Sequence, residues 1–203
     1  MKTLIPPTPT IEWTDGKVKL IDQTKLPLDE VYIETDNYQE VCKAIYRLSI
    51  RGAPAIGVAG AYACVLAAYE INCKSLNDYK KSFSKISDEI TSTRPTAVNL
   101  KWAVNHMKKK VANHNGPIEN INEELLKLAH SIKEDDLYRC HTLAMNGSEL
   151  IRDKSNLMTI CNTGGLATSG IGTALGVIQY AHAMKKDLNI FVCETRPLLQ
   201  GAR

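Results

Sequence analysis

The sequence has no Cys-X-X-Cys pair and no cluster of histidines, although it contains six cysteines and five histidines. Several of the cysteines lie inside apolar runs, as reduced core cysteines do. A disulfide framework or a typical zinc site needs closely spaced ligands that are missing here. We therefore predict free thiols, no disulfide framework and no bound metal ion.

The sequence also lacks a strong excess of charge and a hydrophobic stretch long enough to cross a bilayer. Its formal net charge is +3, too small to indicate a nucleic-acid-binding surface. The longest apolar run, 54–68, is shorter than the roughly 20 residues that a transmembrane helix needs. Pro6 and Pro7 interrupt the N-terminal segment before the apolar core of a signal peptide begins. We expect a cytoplasmic protein that binds neither membranes nor nucleic acid.

The hydrophobic pattern that is present predicts an α/β fold. Strand-like segments lie at 11–13, 18–21 and 31–33, and Asp15-Gly16 is a typical hairpin turn, so an antiparallel meander is expected first. Apolar residues at helical spacing then predict helices at 38–48, 54–71, 76–91 and 96–112, with one or two more between 117 and 152. Asn37 and Glu40 resemble a capping box at the first of these helices.

Beyond residue 153 the pattern changes to strand, helix and strand, at 157–161, 170–184 and 189–193. This order is typical of a doubly wound, Rossmann-like parallel sheet. Two parallel strands and one crossover helix cannot cover their own faces and edges. The sequence therefore predicts a meander and helical domain at 1–152, followed at 153–203 by a Rossmann-like domain that is incomplete and favours oligomerisation.

Three arginines stand close to prolines at expected helix starts. Arg51 precedes Pro54 by three residues, and Arg94 and Arg196 each come directly before a proline. Proline suits the first helical turn, and the residue before a proline is kept out of helical geometry. Free amides at a helix start, with a guanidinium beside them, bind phosphate or carboxylate. We predict an anionic ligand for these arginines; pairing with structural carboxylates, or a place on the surface, stays open as the alternative.

A glycine-rich segment, 161–174, joins the first parallel strand to the helix that follows it. Ligands of doubly wound folds bind at such strand-to-helix turns, because glycines allow the backbone to approach a bound group. Cys161 opens the segment at the carboxyl end of the strand, where a thiol can donate a proton, stabilise charge or attack a substrate. An inert cysteine and a loop built for packing alone are the alternatives.

Four segments together resemble the methylthioribose-1-phosphate isomerase family, within the superfamily of the α, β and δ subunits of translation initiation factor 2B. They are 49–57, 93–100, 161–164 and 194–203, which read SIRGAPAIG, TRPTAVNL, CNTG and ETRPLLQGAR. The resemblance spans nearly the whole chain, and the four motifs occur in the correct order.

The resemblance implies an aldose–ketose isomerase of methionine salvage that converts 5-methylthioribose 1-phosphate into 5-methylthioribulose 1-phosphate without a cofactor. Because C1 carries a phosphate ester, such an enzyme must manage ring opening as well as hydrogen transfer from C2 to C1. The resemblance also implies that Cys161 is the catalytic cysteine, whose thiol stabilises the transition state, and that the protein forms a homodimer. The implied substrate contacts are Arg51, Gly52, Ala53, Arg94 and Gln200.

Two features depart from the family pattern. The family's catalytic aspartate and an Asn-Lys substrate pair would lie beyond residue 203, and Ile160 stands where the family typically has a histidine. General acid–base catalysis is typically worth about 10²–10⁴ in rate, so we expect little turnover from this chain alone.

Two other functions remain as alternatives. One is a non-catalytic regulatory or binding subunit like the initiation-factor relatives, which keep the fold and lack the isomerase motifs. The other is a ribose 1,5-bisphosphate isomerase, which would need extra cationic contacts for a second phosphate at C5.

Overall fold

A computed structural model describes residues 8–202 of the chain. The N-terminal prolines, Pro6 and Pro7, on which the prediction about an export signal rests, lie outside the described residues.

An antiparallel meander opens the described part, as predicted. Its strands are β1 (Ile11–Thr14), β2 (Lys17–Ile21) and β3 (Tyr32–Thr35), in the order β1-β2-β3. Asp15 and Gly16 form the turn between β1 and β2 with φ angles of 49° and 81°. Two successive positive φ angles match the right-handed twist of a hairpin, which is why Asp-Gly is a good turn signal.

Five helices follow the meander. They are α1 (Tyr38–Tyr46), α2 (Ala53–Glu70), α3 (Leu76–Ser92), α4 (Val98–Asn113) and α5 (Ile121–Glu149). Asn37 caps α1 by accepting a hydrogen bond from the backbone N–H of Gln39, but Glu40 bonds Lys43 instead of closing the predicted capping box. Helix α4 begins two residues later than predicted, because the backbone N–H of Ala97 bonds the carbonyl of Arg94 in a separate turn before the helix.

Helix α2 is the centre of the main hydrophobic core. Every residue from Ala55 to Ala68 is buried, and α1, α3, α4 and the first half of α5 pack around it. By length and composition alone α2 could cross a membrane, but 78% of it is buried inside the protein. The structure therefore uses α2 as the core helix that its sequence predicts.

A parallel pair of strands completes the described fold and agrees with the predicted Rossmann-like start. Strand β4 (Ser155–Ile160) pairs in parallel with β5 (Leu188–Cys193), and α6 (Ala174–Ala183) connects them. Helix α6 begins four residues later than predicted. A 3₁₀ turn at Gly165–Ala167 and the positive φ of Gly172, 89°, keep the preceding residues out of the helix.

Helix α5 belongs to both parts of the fold. Its N-terminal half, through Ile132, joins the main core around α2. Its C-terminal half supplies Cys140 and Ala144 to a second, smaller cluster with Ile171, next to α6. This one continuous helix therefore sets the position of the glycine-rich segment relative to the N-terminal half.

Candidate functional site

Arg51 lies in the loop before α2 and is 6% exposed. Gln23, which follows β2, holds its guanidinium: Arg51 Nε donates to Gln23 Oε1 at 3.3 Å, and Arg51 Nη2 donates to the Gln23 carbonyl oxygen at 3.2 Å. Among residues 8–202 no carboxylate lies within 4.0 Å of this guanidinium. Since buried charges in proteins are normally paired, this arrangement points to an anionic ligand.

Gly52 and Ala53 begin helix α2 directly beside Arg51. Gly52 is the residue before the helix, with a φ of 97°, and no side chain caps the N-terminus. The first amides of a helix have no acceptor within the helix, and Pro54 itself has no N–H. The other first-turn amides of α2 are therefore free to bind an anion. The sequence prediction of an anion site is thus matched by a cation and a helix start at one place.

The glycine-rich segment packs against this loop. A Cβ atom built on Gly52 would lie 2.3 Å from the Cα of Ala167, a contact that only glycine allows. Two hydrogen bonds fix the same 3₁₀ turn: Thr10 Oγ1 donates to the carbonyl of Gly165, and Gln23 Nε2 donates to the carbonyl of Leu166, each at 2.7 Å. The loop after Cys161 is therefore anchored on the N-terminal half of the chain.

The start of helix α6 is organised by the loop itself. The carbonyl of Thr163 accepts the backbone N–H groups of Thr173, at 2.9 Å, and Leu175, at 3.2 Å. Two of the amides at this helix start are therefore already bonded. In this fold the N-terminus of α2, rather than that of α6, is the better anion site.

Cys161 follows the last residue of β4 and is exposed, with a φ of 70°. A positive φ is uncommon for a residue with a side chain, although five other non-glycine residues in the described part of the chain also have one. On either side of Cys161 in sequence, the hydroxyls of Thr159 and Thr163 lie 2.9 Å apart and connect the end of β4 to the loop. The structure thus presents the thiol at the carboxyl end of the sheet, where the sequence places it.

Gln200 lies at the same end of the sheet. Its backbone N–H donates to Thr195 Oγ1 at 2.9 Å, and its side-chain oxygen accepts from that hydroxyl. Because β4 and β5 are paired with Ile160 opposite Cys193, the residues that follow the two strands leave the sheet side by side. Gln200 and Cys161 therefore both lie at the carboxyl end of the sheet.

The other two arginines differ from each other. Arg94, between α3 and α4, keeps its Nη1 atom buried with no hydrogen-bond partner. No hydrogen bond joins it to Arg51, Cys161 or Gln200 in the described part of the chain. Arg196 is exposed and its Nε donates to Glu194 at 2.6 Å, which is the carboxylate pairing that the sequence leaves open as the alternative.

A separate cleft of about 690 Å³ lies between α2, α4 and α5 and is not lined by the predicted site residues. Asp136 of α5 lines it, and one carboxylate oxygen accepts the backbone N–H of Ser169 at 2.6 Å. Burial raises the pKa of Asp136. The other residues that line the cleft are Pro54, Gly57, Val58, Val98, Asn99, Trp102, Ile132, Asp135, Arg139, Cys140, Leu143 and Thr173.

Sequence reasoning missed Thr10, Gln23 and Asp136, the three side chains that hold the glycine-rich segment in place. Each makes a contact more than thirty residues away, which no local motif reports. A weak signal exists for Gln23, since an uncharged polar residue two positions after an apolar strand needs hydrogen-bond partners if it is buried.

Comparison with known proteins gives several close similarities. The family model described as Initiation factor 2 subunit family matches residues 49–203. A methylthioribose-1-phosphate isomerase of Geobacter metallireducens is 47% identical over 195 residues, or 96% of this chain and 56% of the relative. A protein of the same name from Desulforamulus reducens is 41% identical over 194 residues, with 95% and 56% covered. The chain spans little more than half the length of the curated relatives it matches.

Two solved structures share the fold. The 5-methylthioribose 1-phosphate isomerase of Pyrococcus horikoshii OT3 superposes with a TM-score of 0.88 at 33% identity, covering 97% of this chain and 55% of the other. The translation initiation factor eIF-2B, subunit delta, from A. fulgidus gives a TM-score of 0.85 at 41% identity, covering 97% and 57%.

Proposed function

Because the chain belongs to the Initiation factor 2 subunit family, and is related within it to methylthioribose-1-phosphate isomerases, we propose that it binds 5-methylthioribose 1-phosphate as part of an aldose–ketose isomerase. The proposed reaction forms 5-methylthioribulose 1-phosphate and belongs to methionine salvage. A cytoplasmic location and the absence of a cofactor are parts of the same proposal.

One observation carries the proposal: Arg51 is buried beside an uncapped helix start and has no carboxylate within 4.0 Å among residues 8–202. A phosphate ester supplies the missing negative charge and accepts hydrogen bonds from both the guanidinium and the helix amides. Arg94, with its buried and unbonded Nη1, is the second proposed phosphate contact. Gly52 and Ala53 contribute backbone, and Gln200 is the proposed contact to the sugar.

The chemistry proposed for Cys161 follows from its position at the carboxyl end of the sheet. Moving hydrogen from C2 to C1 creates partial charge on the carbons and oxygens of the opened sugar. The thiol of Cys161, a residue whose backbone φ is 70°, stabilises such charge or transfers a proton, provided that water is kept out. The apolar body of α2 behind Arg51 supports water exclusion on one side of the proposed site.

A second candidate function is a ligand-binding subunit without catalysis. The observation that favours it is the fold shared with the structure named as an initiation-factor subunit delta, at 41% identity, whereas the 47% identity to the Geobacter metallireducens isomerase favours the first candidate. This candidate keeps the anion site at Arg51 and needs no role for Cys161.

A binding experiment and a turnover experiment together test both functions. Isothermal titration of 5-methylthioribose 1-phosphate is made with the wild-type chain, with Arg51→Met and with the exposed control Arg47→Met. We expect binding that Arg51→Met abolishes and Arg47→Met leaves intact. No binding by the wild type would contradict both functions.

Turnover is measured with Cys161→Ala against Cys73→Ala, a cysteine that packs against the helical core. Turnover that only Cys161→Ala removes supports the isomerase. Arg51-dependent binding with turnover that is insensitive to Cys161→Ala would contradict the role proposed for the thiol. Arg51-dependent binding without any turnover is compatible with both functions, because little turnover is expected from this chain alone.

We also propose a homodimer. Strands β4 and β5 expose large apolar side chains, among them Met158 at 74% and Phe191 at 55%, which favour association. Sedimentation equilibrium of the wild type and of Phe191→Lys tests this, and a wild-type monomer at all concentrations would contradict it.

A further inference from the structure

Gln23 is a fully buried glutamine whose hydrogen-bonding groups are all engaged. Its backbone N–H donates to the carbonyl of Ser49 at 2.9 Å, and its carbonyl accepts from Arg51 Nη2 at 3.2 Å. Its side-chain oxygen accepts from Arg51 Nε at 3.3 Å, while Nε2 donates to the carbonyl of Leu166 at 2.7 Å. One side chain therefore connects the proposed anion-binding arginine to the loop that follows Cys161.

The neutral charge of this side chain is the informative point. A guanidinium has five N–H donors, of which Gln23 satisfies two. Arginines inside proteins are usually held by carboxylates, which would also cancel the charge. An amide fixes the orientation of Arg51 and leaves both its charge and the remaining donors for a ligand. Gln23 is 0% exposed, so it is not itself available to bulk solvent.

We propose that Gln23 is a positioning residue of the anion site, which orients Arg51 without neutralising it and fixes the glycine-rich loop relative to it. This inference rests on the proposed function for the identity of the ligand. Through its hydrogen bonds to Arg51 and to the carbonyl of Leu166, the one side chain of Gln23 fixes both the arginine and the loop. The loop is therefore in position before a phosphate binds at Arg51.

The fold offers a matched comparison for the two tasks of Gln23. Thr10 is 2% exposed and anchors the same loop through the carbonyl of Gly165, but it makes no hydrogen bond to Arg51. Thr10→Val keeps the shape and removes only a loop anchor. Gln23→Met removes both tasks, and Gln23→Glu keeps an acceptor for Arg51 while adding the charge that the native site avoids.

The first measurement is the binding of inorganic phosphate at constant pH, by titration calorimetry, to the wild-type chain and the three variants. We expect roughly 10- to 100-fold weaker binding for Gln23→Met, in line with the loss of hydrogen bonds to a charged group. Gln23→Glu is expected to bind at least as weakly, because its carboxylate competes with phosphate for Arg51. Thr10→Val is expected to stay within about threefold of the wild type, since a neutral hydrogen bond remote from the ligand is lost.

The second measurement is a spectroscopic signature of orientation. The NMR signal of the Arg51 Nε–H group, assigned by its loss in Arg51→Lys, is expected to exchange slowly with water in the wild type, Thr10→Val and Gln23→Glu. It is expected to exchange faster in Gln23→Met, which has no acceptor. A purely structural role for Gln23 predicts lower thermal stability in its variants with unchanged phosphate affinity, and that result would overturn the proposal.

Both readouts are independent of isomerisation. Phosphate binding that depends on Gln23, in a chain that neither binds nor converts the sugar phosphate, supports the positioning role and refutes the proposed substrate. Conversion of the sugar by a chain whose phosphate affinity is unaffected by Gln23→Met refutes the positioning role and leaves the proposed function standing. A wild type that does not bind phosphate at all refutes the positioning role.

Discussion

Substituting Gly52 by alanine is the sharpest test of how the anion loop meets the glycine-rich segment. Gly52 has a φ of 97°, and a Cβ atom there would lie 2.3 Å from the Cα and 2.6 Å from the carbonyl oxygen of Ala167. Both obstacles are backbone atoms, so no side-chain rotation relieves the overlap. The 3₁₀ turn at Gly165–Ala167 would have to move away from the loop.

The expected cost has three contributions. A side chain at the φ of 97° and ψ of 131° of Gly52 costs about 1–3 kcal/mol, because this backbone conformation is sparsely populated by residues other than glycine. The lower conformational entropy of the unfolded alanine variant offsets about 0.4–1 kcal/mol of this cost. Moving the turn breaks its hydrogen bonds to Thr10 and Gln23, which contribute about 0.5–1.5 kcal/mol each. The free energy of unfolding should therefore fall by about 1–5 kcal/mol in Gly52→Ala, with a central value of about 3 kcal/mol.

Gly16→Ala is the matched control. Gly16 has a φ of 81° and, among residues 8–202, nothing within 4 Å of its built Cβ, so this variant carries a positive-φ cost without the overlap. We expect a loss of about 1 kcal/mol by urea denaturation. Hydrogen exchange should show faster exchange for the amides of Ala167 and Thr168, which bond within the turn, in Gly52→Ala only. Equal destabilisation of the two variants, with unchanged exchange at these amides, would refute the packing argument.

Three further predictions concern other parts of the chain. Limited alkylation by iodoacetamide should label exposed Cys161 well before Cys64, which is 0% exposed and whose thiol pKa is raised by burial; equal labelling in peptide mass spectra would contradict this. Asp136→Asn should keep an acceptor for the amide of Ser169 and remove a buried charge. Burial raises the pKa of the Asp136 carboxyl above its ordinary 3.8. The free energy of unfolding should therefore decrease as pH rises from 3.8 through the raised pKa, and urea denaturation across this range should show that Asp136→Asn lacks this decrease. Asn37→Ala should lower the free energy of unfolding by about 1 kcal/mol, since it removes the cap of α1, and an unchanged urea midpoint would contradict it.

Local sequence patterns predicted those elements that local physics determines. The Asp15-Gly16 turn follows from backbone preferences alone, and α2 follows from a continuous apolar run that only a core can accept. Strands β4 and β5 were predicted within two residues of their ends, because both are short runs rich in apolar residues between polar flanking segments. The anion site proposed at Arg51 rests on the same kind of local pattern, an arginine ahead of a proline-started helix, and stays a prediction.

The loop between β4 and α6 was predicted less well, because distant residues determine its shape. A glycine-rich segment is compatible with many conformations, and the pattern alone favoured a helix from residue 170. The structure instead bends the segment through positive φ at Cys161 and Gly172, and bonds to Thr10, Gln23 and Asp136 select this conformation. Asp136, the nearest of these partners in sequence, is 33 residues from Ser169, to which it bonds, so no local window contains the information.

The same long-range bonds bear on how the proposed site is assembled. Arg51 is held from the meander side by Gln23, and the loop after Cys161 is held from the meander by Thr10 and Gln23. On its other side Asp136 of α5 fixes the loop. Cation and thiol are therefore positioned by two elements that belong to the N-terminal half, not by the parallel sheet alone. Gln23→Met should therefore weaken ligand binding at the start of α2, because it removes a direct contact to Arg51, whereas Thr10→Val removes only a loop contact and should change binding little. Through Gln23 the meander has a role in the site as well as in folding.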